Sequence, residues 1–406
     1  DNIISDGRPS LGFTGNMDTY KPAEGSATRS DIAITDPDFK YPSLWKSNIA
    51  ADYKFGDGWV ATVELLYSKD INAIYHDNIG LYRTEQFVND GGAGNARPYY
   101  NGYYSDREGN QKAANHVVML RNTSKGHSLY TTFQLQKNFV DGILKGLYLN
   151  GSYSFGQSRG VTDGTSSVAT SAWKYRAALD GNAEEVGYTA GSFDGRLLLS
   201  ASYTANWSKY AATSFGLIYQ RYRPFRYSYC YNGDANGDSQ FSNDLMYIPA
   251  NFDEVKDHLL PGDFDSQEDA WKAMNAFIEQ DPYLSKHRGE YAERNGAVAP
   301  FANQLDLSVS HDIKIYQKNG RSHTLRFSFN IANFLNLLNR NWGVVQTTVL
   351  GNQQYQFLTI PKGQGPSAAN NYTLKYTMAK DLDETFKDNL NDVSRWQMQF
   401  GIKYIF

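Results

Sequence analysis

SRWQMQFGIKYIF, Ser394 to Phe406, is the stretch that decides the fold. Trp396, Met398, Phe400, Ile402, Tyr404 and Phe406 share one parity, and Gln397, Gln399, Gly401 and Lys403 share the other. Successive side chains of a strand point to opposite faces, so this period of two predicts a strand with one apolar and one polar side. A helix would instead place its apolar residues three and four apart. The pattern recurs upstream. Leu305, Leu307, Val309, Ile313 and Ile315 oppose Gln304, Asp306, Ser308, Ser310, Asp312 and Lys314, while Leu325, Phe327, Phe329 and Ile331 oppose Thr324, Arg326, Ser328 and Asn330. It returns in Ile49, Ala51, Tyr53, Phe55; in Leu129, Phe133, Leu135; in Leu147, Leu149, Tyr153, Phe155; and in Leu197, Leu199, Ala201, Tyr203.

Alternation by itself is shared with soluble sandwiches, so strand length and connections must decide. Many runs reach the ~9 to 11 tilted residues that cross a bilayer, beyond the ~5 to 6 of an ordinary strand. Roughly eleven strands are predicted, at 45–55, 59–74, 115–139, 147–160, 196–206, 210–223, 301–316, 323–334, 342–360, 371–378 and 394–406. Short connections (56–58, 140–146, 206–210, 317–322, 361–370) alternate with long ones (75–114, 161–195, 224–300, 379–393), with one compact exception near 335–341. That asymmetry is the outer-membrane barrel's, with turns toward the periplasm and loops outside. The expected fold class is therefore all-β, a transmembrane antiparallel β-barrel, with 1–44 a loop or partial strand region and 45–406 the barrel strands and their loops. Eleven is odd, whereas bacterial single-chain barrels close with an even number of strands, and an open eleven-stranded sheet would leave two unpaired edges that hydrocarbon does not tolerate. We therefore expect upstream strands of a longer polypeptide to complete the barrel; a complete smaller barrel is the alternative.

Composition agrees. The 406 residues carry 39 Lys plus Arg against 43 Asp plus Glu, a net charge of −4, which argues against a nucleic-acid partner. Aromatics make up 15%, Cys230 is the single cysteine, and no run approaches the ~20 apolar residues of a spanning helix. The start, DNIISDGRPSLGF, has neither the basic head nor the apolar core of a signal peptide, so the chain reads as cytosolic, already processed, or a fragment.

YNGDANGDSQFSNDLMYIP (231–249), PFANQLDLSVSHDIKIYQKNGRSHTLRFSFNIANFLNLLNRNWG (300–343) and the ending RWQMQFGIKYIF resemble the C-terminal part of TonB-dependent outer-membrane receptors. The nearest subgroup is the one common in Bacteroidota with a carboxypeptidase-regulatory-like N-terminal extension. The resemblance runs from about Asp36 onward and is strongest at Asn303–Leu307 and Leu325–Asn339. It implies a plugged barrel of about 22 strands that imports a scarce nutrient, powered through the TonB complex. The plug and the TonB-contacting segment of the family lie upstream of these residues. It further implies the barrel assembly machinery as a partner, reading Trp396, Phe400, Tyr404 and Phe406 as an assembly signal, with lipopolysaccharide or other lipid around the barrel and room for a surface lipoprotein lid or another outer-membrane partner. A passive channel and a surface adhesin or glycan binder are the competing readings.

Asp234, Asn236, Asp238, Gln240 and Asp244 place oxygens at alternate positions of a tight loop, as a hard cation such as Ca2+ requires. Ser239 stands where an EF-hand has glycine and Leu245 where it has the bidentate glutamate, so a loop satisfying its own backbone is the competing reading of 234–244. Ser266 is expected to cap a helix with Ala270, Trp271, Met274, Ala276, Phe277 and Ile278 on its apolar face, ended by Pro282, ordering the 224–300 loop into a lid. Tyr99, Tyr100, Tyr103, Tyr104 and the run Arg221–Tyr231 read as interfacial girdle or as stacking faces, and Arg221, Arg223 and Arg226 as partners of lipid phosphates or lumen residues. The seven histidines show no HExxH pairing, no GxSxG elbow occurs, Cys230 has no catalytic neighbourhood, and Gly91–Gly94 lacks the context of a phosphate loop. No enzyme is expected.

Overall fold

The computed structural model describes residues 31–88, 97–103, 116–164, 166–316, 322–350, 354–366, 372–377 and 384–406. Tyr104, Gly91–Gly94 and most of 1–44 lie outside them. The chain is all-β. Its main sheet is a meander of nine long strands, each bonded antiparallel to the next in sequence. They are β1 (Ser43–Phe55), β2 (Trp59–Asn78), β3 (His127–Asn138), β4 (Leu147–Gly160), β5 (Arg196–Ser208), β6 (Ala211–Tyr222), β7 (Ala302–Tyr316), β8 (Ser322–Ala332) and β9 (Gln397–Ile405). Ile32–Thr35 and Val117–Thr123 extend the far end of β2.

Register confirms the two faces. Phe400 lies opposite Phe329, Phe329 opposite Val309, Val309 opposite Phe215; Gln399 lies opposite Asn330 and Asn330 opposite Ser308. Each apolar row therefore stays on one side of the sheet. Tight turns join the strands at one end. In the β1–β2 turn Gly58 has φ +83° and a Cβ there would sit 2.6 Å from the Asn138 carbonyl oxygen, so this close approach requires glycine.

Among the described residues the long strands number nine, not eleven. The expected strands 342–360 and 371–378 are broken into Gln346–Thr348, Gln354–Tyr355, Leu358–Thr359 and Leu374–Tyr376, none of which joins the main sheet. The physical reason is burial: Tyr355, Phe357, Leu358, Tyr372, Leu374 and Tyr376 are core residues of a body built from the long connections. The expected strand 115–139 likewise splits at Ser124–Gly126. With 333–396 read as one connection, the irregularity near 335–341 disappears. It becomes the short helix Phe334–Leu338, entered through Asn333 at φ 52°.

Among the described residues the hydrophobic core lies in these connections, not in the sheet. Tyr227, Tyr229 and Tyr231, Met246, Met274, Phe277, Tyr355 and Phe357 pack together, joined by Val88 and Tyr99 from the first long connection. The second contributes Trp173, packed with Leu81, Tyr100, Tyr103 and Val118. The four long connections thus interlock into one cap. Tyr99, Tyr100, Tyr103, Tyr227, Tyr229 and Tyr231 are its interior, which corrects their reading as girdle or stacking residues. The lid helix forms as Gln267–Gln280, with Ser266 Oγ accepting from Asp269 N at 3.0 Å; Ala270, Met274, Phe277 and Ile278 are buried. Ala276, expected on the apolar stripe, faces out.

Candidate functional site: a two-faced sheet beneath an ordered cap

On the apolar side of the sheet, large side chains stand uncovered: Ile49, Tyr53, Val63, Leu65, Phe133, Leu135, Phe215, Leu217, Met398 and Ile402 are all exposed, and Phe400 is 65% exposed. The opposite face is laced by side-chain hydrogen bonds across neighbouring strands. Asn48 donates to Glu64 (2.7 Å), Gln134 to Asn150 (3.0 Å), Tyr148 to Gln136 (2.9 Å), Gln220 to Gln304 (3.0 Å) and Ser308 to Asn330 (2.7 Å). Thr132 and Ser154, and Thr204 and Ser214, pair their hydroxyls at 2.9 and 3.0 Å. Arg326 forks onto Asp312 at 2.6 and 2.8 Å. A hollow of about 430 Å³ lies against the sheet, with Ser202, Gly216, Asp306, Ser308 and Asn330 among its lining. Chemically this is a sheet with one face suited to a nonpolar solvent and one able to bond water or another polar body.

The expected assembly residues lie together at one edge. Phe400 and Tyr404 project from the apolar face of β9, Trp396 immediately precedes the strand and Phe406 immediately follows it; all four are exposed. Tyr404 stacks on His323 and bonds its Nδ1 at 2.6 Å, and Phe406 stacks on Tyr404.

The structure gathers the 234–244 loop tightly but turns its oxygens on its own chain. Asp234 accepts from the amides of Asn236, Gly237 and Ser239 at 3.2, 2.6 and 2.8 Å; Asn236 Oδ1 accepts from Asp238 N at 2.9 Å, and Asp238 Oδ1 from Gln240 N at 2.8 Å. The Gln240 amide donates to Ser239 O. Ser239, at the glycine position of an EF-hand, does adopt φ 64°. Asp244 accepts from Ala235 N at 2.7 Å and from Arg97 at 3.1 Å, both side chains being wholly buried. Among the described residues no group of three or more His, Cys, Asp or Glu side chains is arranged to hold a metal ion. These are the bonds of a loop that satisfies its own backbone, and they engage carboxylate oxygens of Asp234, Asp238 and Asp244. Burial, then the charges of Asp244 and Asp234, holds the Asp238 carboxyl well above the usual range. Cys230 is buried beside Leu245, and burial pushes its thiol up, away from any nucleophilic role.

Two structural residues escaped the sequence reading. Arg97 crosses from the first long connection to Asp244 and stacks over Tyr231 and Tyr291 at 5.6 and 5.5 Å; only its isolation beside an aromatic run hinted at it. Asn333 donates its amide N–H to Asp306 (2.8 Å) and its side chain to Gly343 O (2.9 Å) and Ser394 O (3.1 Å), tying the end of β8 to the start of β9. The NIANF stretch that contains it carried the signal. Comparison with known proteins found no matching family model, no matching curated protein and no matching solved structure.

Proposed function

We propose that the chain is the C-terminal barrel portion of a TonB-dependent outer-membrane receptor that imports a scarce nutrient by energy-coupled uptake. One observation carries the reading: long strands keep their apolar face uncovered while their polar face is hydrogen-bonded and, among the described residues, the cores lie in the connections at one end. In water such a continuous apolar face is an aggregation surface; in a bilayer it is the solvated side. The polar face then borders a hydrated lumen able to bond a plug, and the cap stands on the loop side where ligand arrives. Supporting the incomplete-barrel part of the proposal, β1 and β9 each pair on one side only among the described residues. A passive channel closed by these strands alone would need β1 and β9 to meet.

The test is the natural polypeptide. The proposal expects detergent-dependent extraction from the outer membrane, an intact mass well above 45.7 kDa, and loss of uptake when the TonB complex is de-energised. A 45.7 kDa native product conducting solute without TonB would replace it with the channel. Recovery in the aqueous phase without detergent would replace it with the surface-protein reading.

A further inference from the structure

Two aspartates of β7 share the polar face of the sheet and differ in what they meet. Arg326 forks onto Asp312. Asp306 has only the backbone N–H of Asn333, which it accepts through Oδ1 at 2.8 Å. Among the described residues no Lys, Arg or His pairs with Asp306, and its Oδ2 takes no hydrogen bond. The Asn333 bond fixes the height of this carboxylate: it stands at the loop end of the strand, where the 333–396 connection to the cap begins.

Asp306 lies on the wall of the hollow of about 430 Å³. One cross-strand row of that wall carries Ser200, Ile218 and Asp306, and the next carries Ser202, Gly216, Ser308 and Asn330. Gly216 leaves the middle open: a Cβ there would meet nothing nearer than the Cβ of Ser308, at 3.7 Å. Ile218 gives the hollow an apolar floor. Ser200 stands two strands from Asp306, about 10 Å at the spacing of a sheet. The hydroxyls of Ser200 and Ser202 bond nothing among the described residues. Among the described lining residues Asp306 alone is charged.

We infer that this hollow is a subsite for a basic side chain of a peptide ligand, its guanidinium or ammonium group on Asp306 and its aliphatic stem across Ile218 towards Ser200. A carboxylate without a counter-charge on a hydrated wall attracts cations and repels anions. A charged N–H donor on Oδ2 makes the stronger kind of hydrogen bond, and the hydroxyls beside it accept the donors that remain. Lys and Arg lay their methylenes on apolar surface while the head stays polar, which the Ile218 floor allows. A neutral sugar would bond the serines and leave the carboxylate without a cation. Ligand pockets run to about 300–1,000 Å³, so this one holds a side chain and the backbone next to it. A basic side chain from the polypeptide's own upstream part would offer the same chemistry, but the loop-end position of Asp306 lies where a ligand arrives. The subsite deepens the import reading and rests on it.

The full-length polypeptide in nonionic detergent is titrated calorimetrically with a blocked alanine peptide carrying one central arginine, and with the same peptide carrying citrulline, which keeps the shape and loses the charge. The arginine peptide is expected to bind about tenfold more tightly, as a charge-assisted hydrogen bond confers. Asp306→Asn, which keeps an acceptor for the Asn333 amide, is expected to abolish that preference. Asp52→Asn, on the same face in β1 and bonded to Thr62, is expected to keep it. Gly216→Leu, which fills the hollow, is expected to lose binding of both peptides. If Asp306→Asn does not fold, the two peptides on the unaltered protein and on Gly216→Leu decide. Equal affinity for the two peptides, binding of neither, or a preference that survives in Asp306→Asn overturns the subsite. Equal affinity together with a lower melting temperature of Asp306→Asn in the absence of peptide also overturns it, and assigns the hollow to a basic side chain of the polypeptide's own upstream part. A detergent-dependent chain indifferent to the charge of the peptide overturns the subsite alone, whereas recovery of the full chain in water without detergent overturns the import reading and the subsite with it.

Discussion

Single buried contacts hold the cap together, and their costs differ by environment. Arg97 and Asp244 are both fully desolvated, so removing one partner strands a buried charge. Asp244→Ala is expected to cost about 3 to 5 kcal/mol, read as a lowered unfolding midpoint, with the larger loss in cap amides by hydrogen exchange. An unchanged midpoint would mean that Arg97 reaches another acceptor. His116 behaves differently. Its Nδ1 faces the Asn78 amide at 3.0 Å and the Tyr103 hydroxyl at 3.1 Å, and burial, aided by Lys174, lowers its pKa below 6.5 against the opposing charge of Asp31. The unfolded chain therefore binds a proton that the folded one resists, so stability is fully present above pH 6.5 and falls as the pH drops from there to the lower folded value. His116→Gln is expected to flatten that acid branch of a melting-temperature profile; a branch of unchanged slope would assign it to other groups.

At the scale of the element, the two faces of β9 make opposite demands. Phe400 opposes Phe329 on the apolar side and Gln399 opposes Asn330 on the polar side. In a bilayer Phe400→Arg is expected to cost about 2 to 4 kcal/mol if it lies near the midplane, and Gln399→Arg little; folding titrations in lipid vesicles measure both, and equal tolerance would refute the facing. Ser266→Ala should cost about 1 kcal/mol through the lost N-cap, visible as faster amide exchange in the first turn of Gln267–Gln280. These elements were legible because their signals are local: a period of two in β9, a cap at Ser266 that accepts from the amide three residues on. The segments 342–360 and 371–378 were not, because Tyr355 and Phe357 alternate as strand residues do while their partners, Phe277 and Tyr229, come from distant connections. Periodicity tells which side is apolar; it does not tell whether lipid or a folded cap covers it. The loop 234–244 was legible as a tight oxygen-rich turn, but the partner of Asp244 was not, because Arg97 lies 147 residues away from it in sequence.

For the whole molecule, the decisive feature is the pair of free edges. β1 and β9 offer alternate N–H and C=O groups with no partner among the described residues. In hydrocarbon each unpaired backbone group costs several kcal/mol, so a sheet that lives there must close. Closure by bending β1 onto β9 would enclose a narrow barrel of nine strands, an odd number that bacterial single-chain barrels avoid. Closure by strands supplied upstream satisfies both edges and widens the lumen enough for a plug. The two routes differ in what an edge amide sees. In the membrane-inserted full-length polypeptide, amides of Ser43–Phe55 that point away from β2, and those of Gln397–Ile405 that point away from β8, are expected to be as protected from exchange as the amides of the central strands β5 and β6. Cysteines placed on β1 and β9 are expected to form no disulfide with each other, since in the proposed barrel upstream strands would separate them. Rapid exchange at both edges in the inserted protein would show the sheet open and end the barrel proposal; a disulfide joining β1 to β9 would show it closed without help, and leave the smaller channel standing.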